Sequence, residues 1–287
     1  LILCAAAIVW FATPVQACTS AVVSGKVTPD GRPLLWKNRD TDFMQNHIDY
    51  VKGEKYNFIA VVNSANAYLK EAWMGTNSSG FALMNTQSYN LVDVKGDEER
   101  GAANGRVIYR ALEVCATVED FCHFLDTISK PSDIEANFGV IDAQGGAAMF
   151  EVDYHKYVMY DANNPKDAPY GYIARTNFSF AGKVNEGAGY VRYMEADQVL
   201  MKASATGSIT PQFIFNDLSR SFRNRMLDID LRSGAYNRPQ ASGWFVDQDF
   251  IPRSSTSCSV VVQGVKPGEK AELTTMWTLL GLSLIHI

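Results

Sequence analysis

Cys18 stands where processing would make it the first residue of a mature chain. Residues 1–17, LILCAAAIVWFATPVQA, carry no charge, break at Pro14 and end on Val15 and Ala17 in the manner of a secretory cleavage site. Cleavage after Ala17 gives Cys18 a free α-amino group with an ordinary pKa of about 7.7–8.0, a base suited to activating the thiol of the same residue. One residue then supplies nucleophile and base for attack on a carbonyl. Such a centre also needs a group to orient the amine, a cation beside the sulfur and donors for the oxyanion of the tetrahedral intermediate. Candidates of the right type are Lys37, Asn38, Arg39 and Asp40 in KNRD, Asn85 in MNTQS, and Asn177 in RTNFS.

Each candidate also has a plainer reading. Val15-Gln16-Ala17-Cys18 loosely resembles a lipobox, which would make Cys18 an anchor; Arg39 and Asp40 fit a surface ion pair, and Asn85 and Asn177 fit loop hydrogen bonding. Export implies an oxidising compartment, secreted or periplasmic. Cys4 would leave with residues 1–17. Cys115 and Cys122 lie seven apart on a helical pattern, about 10 Å along the axis and beyond disulfide reach, so they and Cys258 read as packed core thiols. His47, His123 and His155 show no metal spacing. Trp73, Tyr89, Trp244 and Phe245 line an acyl pocket or fill the core.

The elements that must position these groups are readable in outline. The 287 residues are 47% apolar and 20% charged, with 26 basic and 31 acidic side chains, which describes a folded globular chain and excludes disorder, collagen and disulfide scaffolds. A net charge of −5 without a basic run argues against nucleic acid as a partner, and the one long apolar segment is too short to span a bilayer. TSAVVSG and RPLLWKNRD form a hairpin about residues 28–31, YNFIAVVNS follows as a strand, and EAWMGTNSSGFALMNTQS gives two more about a turn at 77–80. Gly105 to Ser129 has helical spacing interrupted near Thr117, where TVED is a capping box. Further strands follow in NFGVIDAQGGAAMFEVDYHKYVMYD, with a turn at 142–146, and in GYIARTNFSF. Helices follow in GYVRYMEADQVLMKA and TPQFIFNDLSRSF, then a closing hairpin. This is an α+β chain of antiparallel sheets covered by helices. Residues 1–17 are expected to be a signal remnant and 18–287 one domain, truncated at its C-terminal end, where TTMWTLLGLSLIHI stops in an apolar run.

CTSAVVSGKVTPDGRPLLWKNRDTD resembles the opening of the N-terminal-nucleophile cysteine amidohydrolases, in the penicillin acyltransferase-like branch related to choloylglycine hydrolases. The likeness runs on through GTNSSGFALMNTQSYN, EANFGVIDAQGGAAMFE, GYIARTNFSF, GYVRY and SVVVQGVKPG, over nearly all of residues 18–280. It implies a four-layer αββα sandwich of two antiparallel sheets and cleavage or transfer at a linear amide through an acyl-cysteine thioester, with no cofactor. It also implies a small-molecule partner of the N-acyl amine or N-acyl amino acid type, with homo-oligomers allowed. By the same resemblance Cys18 is the nucleophile, Asp40 holds the α-amino group, Lys37 stands where choloylglycine hydrolases carry an arginine, Asn85 and Asn177 serve the oxyanion, and Arg192 is the late arginine. Arg192 reads alternatively as a solvated helix charge. A second member of this chemistry, an N-terminal-cysteine dipeptidase, shares the CTS start, but its usual acidic residue before the aspartate is Arg39 here. An inactive lipid-anchored binding protein is the alternative outside enzymology.

Overall fold

The computed structural model describes residues 17–92, 101–233 and 247–281. Its chain order is β1 (Thr19–Val23), β2 (Leu34–Asp40), β3 (Asn46–Val51), β4 (Phe58–Asn63), β5 (Met74–Asn77), β6 (Ala82–Gln87), α1 (Asn104–Val114), α2 (Val118–Thr127), β7 (Ala136–Ile141), β8 (Ala147–Val152), β9 (Tyr157–Asp161) and β10 (Tyr172–Arg175). There follow α3 (Tyr190–Ala205), α4 (Pro211–Phe213), a short ribbon of β11 (Arg223–Asn224) and β12 (Ile229–Asp230), then β13 (Thr256–Gln263) and β14 (Thr275–Leu280).

Two antiparallel sheets result, one in the order β10-β1-β2-β13-β14 and one in the order β3-β4-β5-β6-β7-β8-β9. Because side chains alternate along a strand, each sheet presents two apolar faces. Val22, Leu35, Val260 and Val262 of the five-stranded sheet meet Met74, Ala82, Met84 and Met149 of the other in a shared core. The opposite face of the seven-stranded sheet, with Phe81, Leu83, Phe138 and Phe150, packs on Ile108 and Leu112 of α1 and Phe121 and Leu125 of α2. Ala21, Val23, Leu34 and Trp36 pack on Ala196 and Leu200 of α3 and on Ile214 beyond α4. The layers therefore run α, β, β, α.

Local chemistry accounts for the boundaries. Thr117 accepts from the Asp120 N–H at 3.0 Å while Asp120 accepts from the Thr117 N–H at 3.2 Å, the reciprocal cap that separates α1 from α2. Thr210 caps α4 with Pro211 in its first turn. Three expectations change. Asn46–Val51 is a strand, half-exposed at the sheet edge; its residues alternate without the apolar content that marks a buried strand. The strand expected through Phe180 stops at Arg175: Asn177 makes an isolated antiparallel bridge with Ala188, residues 178–179 are irregular and Phe180 enters a turn, and the helical run after Pro211 ends at Leu218 in a wide turn. Cys115 and Cys258 are buried as expected; Cys122 is only half-buried, and among the described residues no thiol is disulfide-bonded. The apolar lead, Trp244 and Phe245 lie outside the described residues.

Candidate active site

β1 and β2 pair so that Thr19 faces Asn38 and Ser20 faces Lys37; carried one residue further, this register puts Cys18 beside Arg39. On the other side of β2, Cys258 of β13 faces Arg39 and Val260 faces Lys37. Residues opposite one another share a face, so Lys37 and Arg39 project from β2 on the same side as Cys18, into the space between the sheets. Asn38 and Asp40 project the other way, toward the α3 layer, where the Asn38 amide donates to the Ser219 carbonyl. The two-residue period of KNRD thus divides its labour. The thiol meets two cations on one face, and the carboxylate approaches the Cys18 backbone from the other.

Asp40 is buried, and its carboxylate accepts from Arg253 Nε at 3.1 Å and from Thr256 Oγ1 at 2.6 Å. The same guanidinium reaches the Ala17 carbonyl at 3.3 Å, so Asp40 and the Ala17–Cys18 peptide lie on one arginine. Burial pushes the Asp40 carboxyl up to about 6, against the opposing pull of Arg253, Arg192 and the Thr256 hydroxyl. The Cys18 Sγ lies 3.9 Å from the Asp40 carbonyl oxygen. The surface ion pair between Arg39 and Asp40 does not form: both are buried, and the partner of Asp40 is Arg253.

Lys37 is 2% exposed and donates to Asn85 Oδ1 at 2.9 Å and to the Trp73 carbonyl at 3.2 Å; burial lowers its pKa. Since an ammonium only donates, the Asn85 atom facing it is the oxygen, which fixes the orientation of that amide. Arg192, 1% exposed, is no solvated helix charge. Its guanidinium donates to the Cys18 carbonyl at 2.7 Å, to Thr19 Oγ1 at 2.9 Å and to Asn177 Oδ1 at 2.8 Å. Burial lowers its pKa to about 10. Its reach depends on Gly189, which begins α3 at φ 87°; a Cβ there would sit 2.4 Å from Arg192 Nη2. Asn177 is therefore oriented through its oxygen by Arg192 and through its amide nitrogen, which donates to the Gln87 carbonyl at 2.8 Å.

The structure brings all six candidates, Cys18, Lys37, Asp40, Asn85, Asn177 and Arg192, to one end of the sandwich. Sequence reasoning missed Arg253, which sits ahead of β13 in PRSST, and Thr256, which opens that strand. A lone arginine before an apolar strand looks like a loop charge, and only the pairing of β13 with β2 delivers it to Asp40. It also missed the frame around Asn177. Buried Glu151 accepts from Arg175 Nε at 2.6 Å and from the backbone N–H groups of Phe180 and Ala181 at 2.8 and 2.7 Å. Asn137 donates to the carbonyls of Thr176 and Phe178 and accepts from Ser179. Glu151→Ala leaves Arg175 buried without its acid, which costs about 3–5 kcal/mol of folding free energy; urea unfolding of the variant checks this.

A family model described as acyl-coenzyme A:6-aminopenicillanic acid acyl-transferase matches residues 27–205. The chain belongs to this family. The acyl-transferase family match takes in Lys37, Asp40, Asn85, Asn177 and Arg192, and lies between Cys18 and Arg253. Membership makes the chain an enzyme of the class that hydrolyses linear amides or transfers acyl groups. Its fold is shared with an N-acylethanolamine-hydrolyzing acid amidase ortholog from Caenorhabditis elegans, at TM-score 0.51 and 14% identity over 91% of this chain and 100% of that one. Weaker likenesses are to a conjugated bile acid hydrolase from Clostridium perfringens (TM-score 0.47, 14% identity, 91% and 96% covered). Penicillin V acylase from Agrobacterium tumefaciens follows (TM-score 0.42, 14% identity, 94% and 93% covered). No curated protein matches the sequence. Among the described residues no helix is long and apolar enough to cross a membrane, and no group of side chains has the makings of a metal site.

Proposed function

We propose that this member of the acyl-transferase family is an exported amidohydrolase or acyltransferase whose mature form begins at Cys18 and which acts through an acyl-cysteine thioester. The observation that carries the reading is the division of β2 around Cys18. Lys37 and Arg39 lie on the sulfur's face, while Asp40 approaches the residue's backbone from the other face through an arginine that also holds the Ala17 carbonyl.

Removal of residues 1–17 frees the Cys18 nitrogen next to Asp40, whose carboxylate then orients it as the base. The amine takes the thiol proton as Sγ attacks the amide carbonyl, forming the S–C bond and an oxyanion served by Asn85 and Asn177. The intermediate collapses with cleavage of the C–N bond, and the leaving amine departs with the proton from the α-ammonium. Water, or a second amine in acyl transfer, then attacks the thioester, releases the acyl group and restores the thiol. Arg192 fixes the Cys18 carbonyl and the Asn177 amide together, so nucleophile and oxyanion donor keep their spacing as charge develops.

The test is to express the full chain with its leader, sequence the N-terminus of the exported product and assay amine release from a panel of N-acyl amides. The expected result is a mature chain starting at Cys18 that releases amine from at least one of them. A retained leader or a lipid on Cys18 removes the α-amino base and contradicts the reading.

A further inference from the structure

Two buried cations beside the nucleophile have only neutral hydrogen-bond partners among the described residues. Lys37 gives two of its three N–H donors to the Trp73 carbonyl and the Asn85 amide oxygen. Arg39, 3% exposed, donates to Asn63 Oδ1 at 2.8 Å and to Asn46 Oδ1, leaving three of its five N–H groups. Both cations lie against the same indole: Arg39 is 4.6 Å from the centroid of Trp73, Lys37 is 6.0 Å from it, and the Trp73 Nε1 donor is buried without a hydrogen-bond partner. The one carboxylate beside them in sequence, Asp40, lies on the opposite face of β2 and is engaged by Arg253 and Thr256. A buried cation is costly without a counter-charge, and a buried donor is costly without an acceptor. The surplus here is of one kind, donors and positive charge, and it lies on the same face of β2 as Cys18.

We propose that Arg39, Lys37 and Trp73 form a carboxylate subsite: the amide cleaved at Cys18 carries a carboxylate a few bonds from its scissile carbonyl, and the Arg39 guanidinium binds it. This rests on the amide-cleaving reading above and names its substrate class.

Two matched pairs test this with the whole enzyme: N-decanoylglycine against its methyl ester, and glutaryl against pentanoyl p-nitroanilide, which place the carboxylate on the leaving side and the acyl side. In one pair the acid is favoured in kcat/KM by about 10–100-fold, the worth of a charge-assisted pair. Arg39→Met keeps the stem against Trp73 and brings that ratio toward one, while Arg39→Lys recovers part of it. Calorimetric binding of the same pairs to Cys18→Ala gives the same ranking without turnover. Equal handling of acid and neutral partner by the wild-type enzyme overturns the subsite, as does a preference that survives Arg39→Met; the wild-type comparison needs no variant to fold. If no amide is turned over while Cys18→Ala still prefers the acid, the amidase reading fails and the subsite stands.

Discussion

Cys18→Ala lowers amide cleavage on the order of 10⁴-fold or more, because no other group in the site can take over the covalent step. Cys18 is 6% exposed, and its sulfur lies beside the Asp40 carbonyl in a site whose remaining groups orient rather than attack. Cys115 and Cys258 are no substitutes. Burial raises both of their thiols, that of Cys115 to about 12, and each lies in an apolar cluster. Cys18→Ser tests a different link. It keeps the α-amino base and the Arg192 contact to the residue-18 carbonyl but offers a weaker nucleophile, so it retains part of the rate that alanine loses. Steady-state rates on one amide for the three proteins check the order wild type, serine, alanine. Equal rates for serine and alanine at full folding would separate the thiol from the base.

Acid titration makes the enzyme less active and Asp40 a source of stability at the same time. The carboxyl is pushed up to about 6 by burial, so it takes up a proton before an ordinary aspartate does. Only the carboxylate can hold the Cys18 amine by charge, so kcat/KM falls on acidification; the α-ammonium freed by cleavage after Ala17 pulls this carboxyl down from about 6, and the acid limb of the mature enzyme lies below that value. The linkage has the opposite sign. With Ala17 still attached, the folded state binds this proton more tightly than the unfolded chain, whose aspartate titrates at about 3.9, so the site's stabilising contribution is fully present below about pH 4 and is lost as pH rises through about 6. Thr256→Val removes a hydroxyl that favours the carboxylate, and moves the acid limb of the rate profile upward. Asp40→Asn abolishes that limb, lowers kcat/KM by on the order of 10²–10⁴-fold and leaves Arg253 without its acid. Rate profiles from pH 4 to 8 on the three proteins, with urea midpoints at both ends, separate the two effects.

Much of this arrangement is readable in the chain, for local reasons. TSAVV and LLWKNRD are short strand-like runs on either side of a Thr-Pro-Asp-Gly turn, so the hairpin that places Cys18 opposite KNRD is an expectation of sequence that the structure repeats. The bend at Thr117 is equally local, since its cap closes within four residues. What sequence does not reveal is set by distant partners. Asn46–Val51 is held as a strand by β4, although Ile48 and Tyr50 are exposed and its other residues are only half-buried. Asn177 leaves the strand pattern because Glu151 and Asn137 capture the backbone around it. Arg253 finds Asp40 across 213 residues, a separation no spacing rule spans. The types of the candidate site residues are visible in the sequence; the groups that hold them are not.

The central claim is that Cys18 carries the reaction, and the most direct measurement is the residual amide turnover of the mature enzyme against the extent of Cys18 alkylation by iodoacetamide, mapped by peptide mass spectrometry. The account predicts that activity falls in proportion to modified Cys18 and reaches zero with Cys115, Cys122 and Cys258 unmodified. Turnover that persists when Cys18 is fully alkylated would contradict it.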